Sequence, residues 1–414
     1  MENEKLLEFA KNESEKKQIW FGTHSQFDMD IADIEACTNY RLSSNFHGNY
    51  DTVWVFEKPL NEYHILSWKI ILDEAIRLLK RTGKLIIRMY ETPSLTVPML
   101  KNFIGRNINL NVSLNYEYQK DNYYNIVFNI ERLDFEIYQD KTWTFAMLTS
   151  GKKDDVVIKF LESIRKNEPQ KSQIIISGPK KDIYDKYDVE YLDLSNYRDS
   201  EYAEISRKKN DIAEMATGAN IAIVHDRYYL QDNFFKDFEE YGYDFDFLAI
   251  KQISETTENE VPSYCYTYNK PLEHTHVGYN ACFSQLLDTQ YVNGGIIVAK
   301  TKTLQKIKFC SLIFWNQKED VELTNEFVKH SIIPRVGFLP TVYTTRDISD
   351  YPWDCYNGNT FQYKCSLTKE QCPTIYGIEN NIGKLKLFSL AIYPKHKFPY
   401  VGLRVKFCTK RKDI

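Results

Sequence analysis

Between Ile205 and Arg227 the chain reads ISRKKNDIAEMATGANIAIVHDR, a segment that leaves little choice of architecture. Ala213, Met215 and Ala216 give a helix a small apolar face, and Gly218 supplies its stop. Ile221 to Val224 is an apolar run too short for a second helix, so it reads as a buried strand. That strand ends at His225-Asp226-Arg227. In open α/β sheets ligands sit beyond the carboxyl ends of the strands, so this acid stands where a charged ligand would be held.

The rest of the chain repeats the alternation. Thr52 to Phe56 reads as a buried strand, and Ile65, Trp68, Ile71, Leu72, Ala75, Ile76 and Leu79 mark one face of a helix closed by Lys80-Arg81-Thr82-Gly83. Leu85 to Met89 is the next strand, followed by a helix near Leu95 to Ile104. Asn109 to Tyr118 and Tyr123 to Arg132 then form an antiparallel pair turning on Asp121-Asn122. From Trp143 onward, Phe145 to Leu148, Ile174 to Ile176 and Tyr191 to Leu194 are strands, with a helix over Asp155 to Ile164. This order implies a parallel, doubly wound sheet. At 414 residues the chain is expected to hold two or three domains.

Two resemblances follow from these patterns. DEAIRLLKRTGKLIIRMYE resembles the second half of a class I methyltransferase domain, over roughly residues 15 to 133. Such a domain needs a glycine-rich loop after its first strand for close approach of the cofactor. Only Ile19 to Gly22 stands near the right place, no G-x-G follows, and too few residues precede Thr52 for the missing strands. Residues 1–135 are therefore expected to be a truncated, catalytically empty methyltransferase-like domain, and no S-adenosylmethionine is expected. The block ending at Asp226 resembles the GT-A glycosyltransferases of the inverting family 2 type. The expected fold class is α/β: a GT-A type doubly wound mixed sheet over 141–340, preceded by the smaller Rossmann-like domain, with 341–414 as a C-terminal extension.

The GT-A resemblance implies a nucleotide-sugar donor, a UDP-sugar by default, and a saccharide or lipid-linked saccharide acceptor of the bacterial capsule or lipopolysaccharide kind. It also implies Mn2+ or Mg2+, with Asp226 and His225 as the metal-side residues. Where the family places two or three acids, this chain has one, so either Asp226 binds the metal or His225 or Arg227 shares the charge compensation. The alternative role for Asp226 is a cap on a helix starting near Tyr229. Asp244-Phe245-Asp246 is a literal D-x-D, read as a chance pattern with one acid at a solvated edge. Thr149, Ser150 and Gly178 follow the first two strands of this half, and with Lys209 and Asn210 they are the candidate nucleotide contacts; an ordinary solvated charge run is the alternative for Arg207-Lys208-Lys209.

Asn293-Gly294-Gly295 opens a β-branched strand, where paired glycines let a backbone pass close to a sugar. Glu319-Asp320 stands at a helix start, where the resemblance places the base. Asp320 is the expected base, kept ionised by the helix macrodipole, and Glu319 orients the acceptor.

A net charge of −4 supports no nucleic-acid partner. The N-terminus is charged throughout, and no uncharged apolar run reaches the roughly 18 residues of a membrane span, so a cytoplasmic protein is expected. The basic stretch after Ile382, with Lys384, Lys386, Lys395 and Lys397, leaves peripheral contact at the inner membrane open, as is self-association into a homo-oligomer. The eight cysteines show no C-x-x-C pairing and read as free thiols. A non-catalytic scaffold of a polysaccharide assembly complex is the rival reading.

Overall fold

The computed structural model describes residues 16–347, apart from 26, 64–66, 199–202, 271–272, 278–289 and 316. The basic stretch after Ile382 lies outside the described residues.

The first unit is a six-stranded sheet built from β1 (Gln18–Phe21), β2 (Asp30–Ala32), β3 (Tyr50–Val55), β4 (Leu79–Met89), β5 (Leu110–Lys120) and β6 (Tyr123–Arg132). Its order is β2-β1-β3-β4-β6-β5. The first four strands are parallel, and the closing β5–β6 hairpin is antiparallel. Alternation along the strands sends Ile19, Val53, Leu85, Ile87 and Ile126 to one face, where the Trp68–Leu78 and Val97–Gly105 helices cover them. The second helix starts on the Thr96 hydroxyl, which accepts from Met99 N–H. Asp121 and Asn122 both adopt positive φ, 48° and 66°, as a tight two-residue hairpin requires.

Two expectations for this unit are corrected. Short strands β1 and β2 do precede Thr52, because a parallel edge needs only three or four residues to pair. Lys80 to Gly83 is no turn: β4 starts at Leu79, directly after the helix, and Thr82 and Gly83 pair with Glu131 and Ile130 of β6. Gly83 lies so close to β3 that a Cβ there would stand 2.9 Å from the Asp51 carbonyl oxygen.

The second unit is a mixed α/β sheet. Its strands are β7 (Trp143–Leu148), β8 (Gln173–Ser177), β9 (Glu190–Tyr191), β10 (Asn220–His225), β11 (Tyr228–Leu230), β12 (Phe247–Ser254), β13 (Glu260–Val261), β17 (Ile296–Lys300) and β18 (Arg335–Thr344). The order is β11-β18-β12-β17-β10-β7-β8-β9, with β13 paired to β12. Strands β9, β8, β7 and β10 run parallel, while β17 runs antiparallel to both β10 and β12. A small sheet of β14 (Tyr264–Lys270), β15 (Glu273–Val277) and β16 (Gln290–Val292) stands beside it. The α/β class read from the sequence holds in both units. β9 stops at Tyr191, shorter than the run to Leu194, and β18 continues to Thr344, past the boundary expected at 340. No helix among the described residues is long and apolar enough to cross a membrane.

Buried ions join the units. Arg77, on the Trp68–Leu78 helix, binds Asp73 at 2.8 Å, Asp244 at 3.0 Å and Asp246 at 3.1 Å. Arg132 of β6 donates to both oxygens of Asp244 at 2.7 Å, and Arg335 of β18 reaches back to Asp73 and Glu74. Asp244 and Asp246 are thus both buried between the units, and the solvated edge expected for one of them is corrected.

Candidate active site

β7 and β10 are neighbours in the sheet although β8 and β9 separate them in the chain. Connections leave β7 toward one side and return on the other, and in open α/β sheets the place beyond the carboxyl ends of two such strands is where ligands bind. Thr149 follows β7 there and Asp226 follows β10. The Thr149 hydroxyl donates to Asp226 Oδ2 at 3.0 Å, and the Ser150 N–H reaches the same oxygen at 3.4 Å. Lys153 Nζ stands 4.0 Å from Oδ1. Gly151, at φ 76°, turns its N–H onto the Thr149 hydroxyl. Gly178 is there for close packing, since a Cβ would lie 2.5 Å from Thr149 Cγ2 and 2.7 Å from its carbonyl oxygen. Thr149, Ser150, Gly178 and Asp226 are therefore brought together at the switch point.

The other wall is β17 and the segment before it. His225 N–H donates to Gly295 O at 3.0 Å. Asn293 braces the turn, its Oδ1 accepting from Gly295 N–H and its Nδ2 donating to Pro262 O, both at 3.0 Å. Gly294 N–H donates to Asp320 Oδ2 at 2.8 Å. A Cβ on Gly294 would stand 2.6 Å from Asp320 Cβ, and one on Gly295 would stand 2.7 Å from Arg227 Nη2. Asp320 lies in the first turn of the Glu319–Lys329 helix. Backbone contacts thus run from the Asp226 turn through His225, Gly295 and Gly294 to Asp320, joining segments 94 positions apart in the chain.

Burial, and then the neighbouring Glu319, push the Asp320 carboxyl up to about 6, against the opposing Gly294 N–H and Lys209. The helix terminus was expected to hold it low; desolvation outweighs that dipole. A carboxylate in this range can take a proton from a hydroxyl near neutrality.

Three assignments change. Lys209 is wholly buried, and its Nζ binds Glu319 Oε1 at 3.0 Å and Gly294 O at 3.2 Å, so it anchors the start of the Glu319–Lys329 helix. Asn210 uses its amide on Phe309 N–H and O, pinning the segment that leads to Glu319. The His225 ring is pushed down in pKa by burial and then by Lys209, Arg227 and Arg346, and its Nε2 is buried with no hydrogen-bond partner. Among the described residues no hydrogen bond joins this Nε2 to Asp226, whose Oδ2 takes the Thr149 hydroxyl instead. The helix near Tyr229 is also absent: Tyr228 to Leu230 is β11, so Asp226 caps nothing there.

Mn2+ and Mg2+ favour shells of about six oxygens. Among the described residues no three His, Cys, Asp or Glu side chains converge. Asp226 offers one carboxylate with Oδ2 already engaged. These residues do not by themselves build a divalent-cation site.

Sequence reasoning missed Lys153, which stands only four residues beyond Thr149 but reads as part of a solvated Lys-Lys-Asp run. Trp315 and Leu312 are 64% and 82% exposed on the segment leading into Glu319. Trp315 N–H and the Ser206 hydroxyl tie that segment to Ala203 O and Ile313 O, beside the start of the Ile205–Met215 helix.

No protein-family model matches the chain, and no curated protein matches it. Among solved structures, GalNAc-T7 with UDP, GalNAc and Mn2+ aligns at 11% identity and TM-score 0.38, over 63% of this chain and 54% of its own. S. aureus TarS aligns at 14% identity and TM-score 0.36, over 63% of this chain and 54% of its own. A TarS 1-349 structure aligns at 12% identity and TM-score 0.35, over 65% and 88%. The chain spans about half the length of the first two.

Proposed function

We propose that the chain is an inverting glycosyltransferase that moves a sugar from a nucleotide-sugar, a UDP-sugar by default, to a hydroxyl of a saccharide acceptor. What supports this reading is the run of contacts that links the Asp226 turn to the segment before β17 and from there to Asp320, a half-buried carboxyl that accepts from Gly294 N–H and is raised toward neutrality. In the proposed reaction Asp320 takes the proton of the acceptor hydroxyl. The acceptor oxygen attacks the anomeric carbon, and the bond to the diphosphate breaks on the opposite face. Charge gathers on the departing diphosphate, and Lys153, beside Asp226, and Arg227, beside Gly295, are the cationic side chains assigned to offset it. Glu319, held by Lys209, fixes the helix that presents Asp320.

Growth of a bacterial surface polysaccharide in the cytoplasm, on a free or lipid-linked acceptor, is the setting we infer. The first unit is read as methyltransferase-like and catalytically empty: the turn after β1 packs against Glu57 so tightly that a Cβ on Gly22 would stand 2.0 Å from its carboxylate. A non-catalytic scaffold is the second reading, favoured by the single acid after β10.

Asp320→Asn decides between them. The variant should bind the nucleotide-sugar as the parent does and lose transfer by several orders of magnitude, about 10²–10⁴-fold for a lost general base. Near-normal turnover would remove Asp320 from the chemistry, and a parent protein that releases nucleotide from no donor would support the scaffold.

A further inference from the structure

Among the described residues, helices cover only one face of the first sheet. On the other, Trp20, Trp54, Ile86 and Val127 form a separate apolar cluster, and Phe27 from the loop after β1 folds onto it. Next to this cluster opens a cavity of about 660 Å³, at the carboxyl ends of β1 and β3 and under the tip of the β5–β6 hairpin. That volume is in the range of small-molecule sites. It is distinct from the Asp226–Asp320 site, which belongs to the other sheet.

The cavity is built, not incidental. Glu57 accepts from Trp20 Nε1 at 3.0 Å, Thr23 N–H at 2.9 Å and His24 N–H at 3.0 Å, which fixes one wall. Phe56 and Tyr123 are half-buried in its wall, and the Arg88 guanidinium lies over both rings, 5.4 Å and 4.1 Å from their centroids. Among the described residues Arg88 has no carboxylate partner, so its N–H groups remain available at the rim. Asn125 lines the cavity 95% buried, and its Oδ1 has no hydrogen-bond partner. An unmet buried carbonyl oxygen is costly, so it points to a donor that a ligand brings.

We infer that this cavity binds a pyranose residue of a saccharide. A pyranose presents polarised C–H groups on its flat face, which match the negative face of an aromatic ring, and hydroxyls on its edge, which match Arg88 and Asn125. The choice of a saccharide rests on the glycosyltransferase reading of the second unit. The cavity then holds a residue of the acceptor chain away from the reacting end, which raises the effective concentration of the acceptor at that site.

The test is titration of the full chain with maltose, cellobiose and chitobiose, followed by intrinsic tryptophan fluorescence, with S-adenosylmethionine and UDP as separate arms. At least one disaccharide should change the emission saturably. Phe56→Ala, Tyr123→Ala and Asn125→Leu should each weaken it about threefold to tenfold, and Arg88→Gln, which leaves the ring contacts in place, should also weaken it. Asp320→Asn should leave this binding unchanged, so a failed transfer reaction and a failed cavity give different results. Absence of saccharide binding, equal binding by the cavity variants, or displacement of the sugar by S-adenosylmethionine or UDP would each overturn the inference.

Discussion

Asp320 must be desolvated enough to want a proton and yet ionised enough to accept one. Its carboxyl titrates near 6, so kcat/KM should fall as pH drops through about 6 and level off above it. Lys209→Met removes a counter-charge and should move that limb to higher pH, which a pH–rate profile reads directly. The same group costs stability. Its folded pKa lies above the ordinary 3.8, so the penalty for ionised Asp320 is present above about 6 and fades as pH falls toward the unfolded value. Asp320→Asn should therefore raise the melting temperature at pH 8, by a free energy on the order of 2 kcal/mol, with the gain shrinking toward pH 4. A variant less stable than the parent at every pH would contradict the burial penalty. The Glu-Asp pair at a helix start was legible in the sequence because the signal is local. The burial that raises Asp320, and the engagement of Lys209 by a partner 110 residues away, were not.

Among elements, the segment from β16 to β17 is tightly constrained, with Asn293, Gly294 and Gly295 all hydrogen-bonded. Gly294 and Gly295 were read as glycines for a close approach to a sugar; protein also closes on both, with Asp320 Cβ at the first and the Tyr228 hydroxyl and Arg227 guanidinium at the second standing where side chains would be. Gly294→Ala should push the Asp320 helix outward, costing about 1–3 kcal/mol by overpacking and lowering kcat far more than it lowers donor affinity. The exposed segment before that helix is a different case. Trp315 and Leu312 bury little, so Trp315→Ala should leave the melting temperature within about 1 °C while raising KM for the acceptor and not for the donor. Strands β3, β7, β8 and β10 were readable because each is a short apolar run between breakers. Lys80 to Gly83 was misread because a glycine after a helix usually ends it; here Gly83 serves the tight approach of β4 to β3, a pairing no local pattern reveals.

For the whole molecule the decisive contacts are the ions between the two sheets. Asp244, opposed by burial but held by Arg132 and Arg77, titrates near 2, and Glu74 is likewise held well below the usual range by Arg41, His47 and Arg335. Their depressed values contribute stability that is complete above the unfolded pKa of about 4 and is lost as pH falls toward 2. Acid should therefore loosen both units together. The literal D-x-D was readable as three letters, but its partners Arg77 and Arg132 lie 167 and 112 residues away, so its place between the units was invisible. Asp244→Ala leaves those two guanidiniums buried with less charge to face, a loss of about 3–5 kcal/mol. Because the network spans both sheets, calorimetry should show one unfolding transition in the parent, shifted down in the variant. Two separate transitions in the parent would mean that these ions pack the units side by side without coupling their stability.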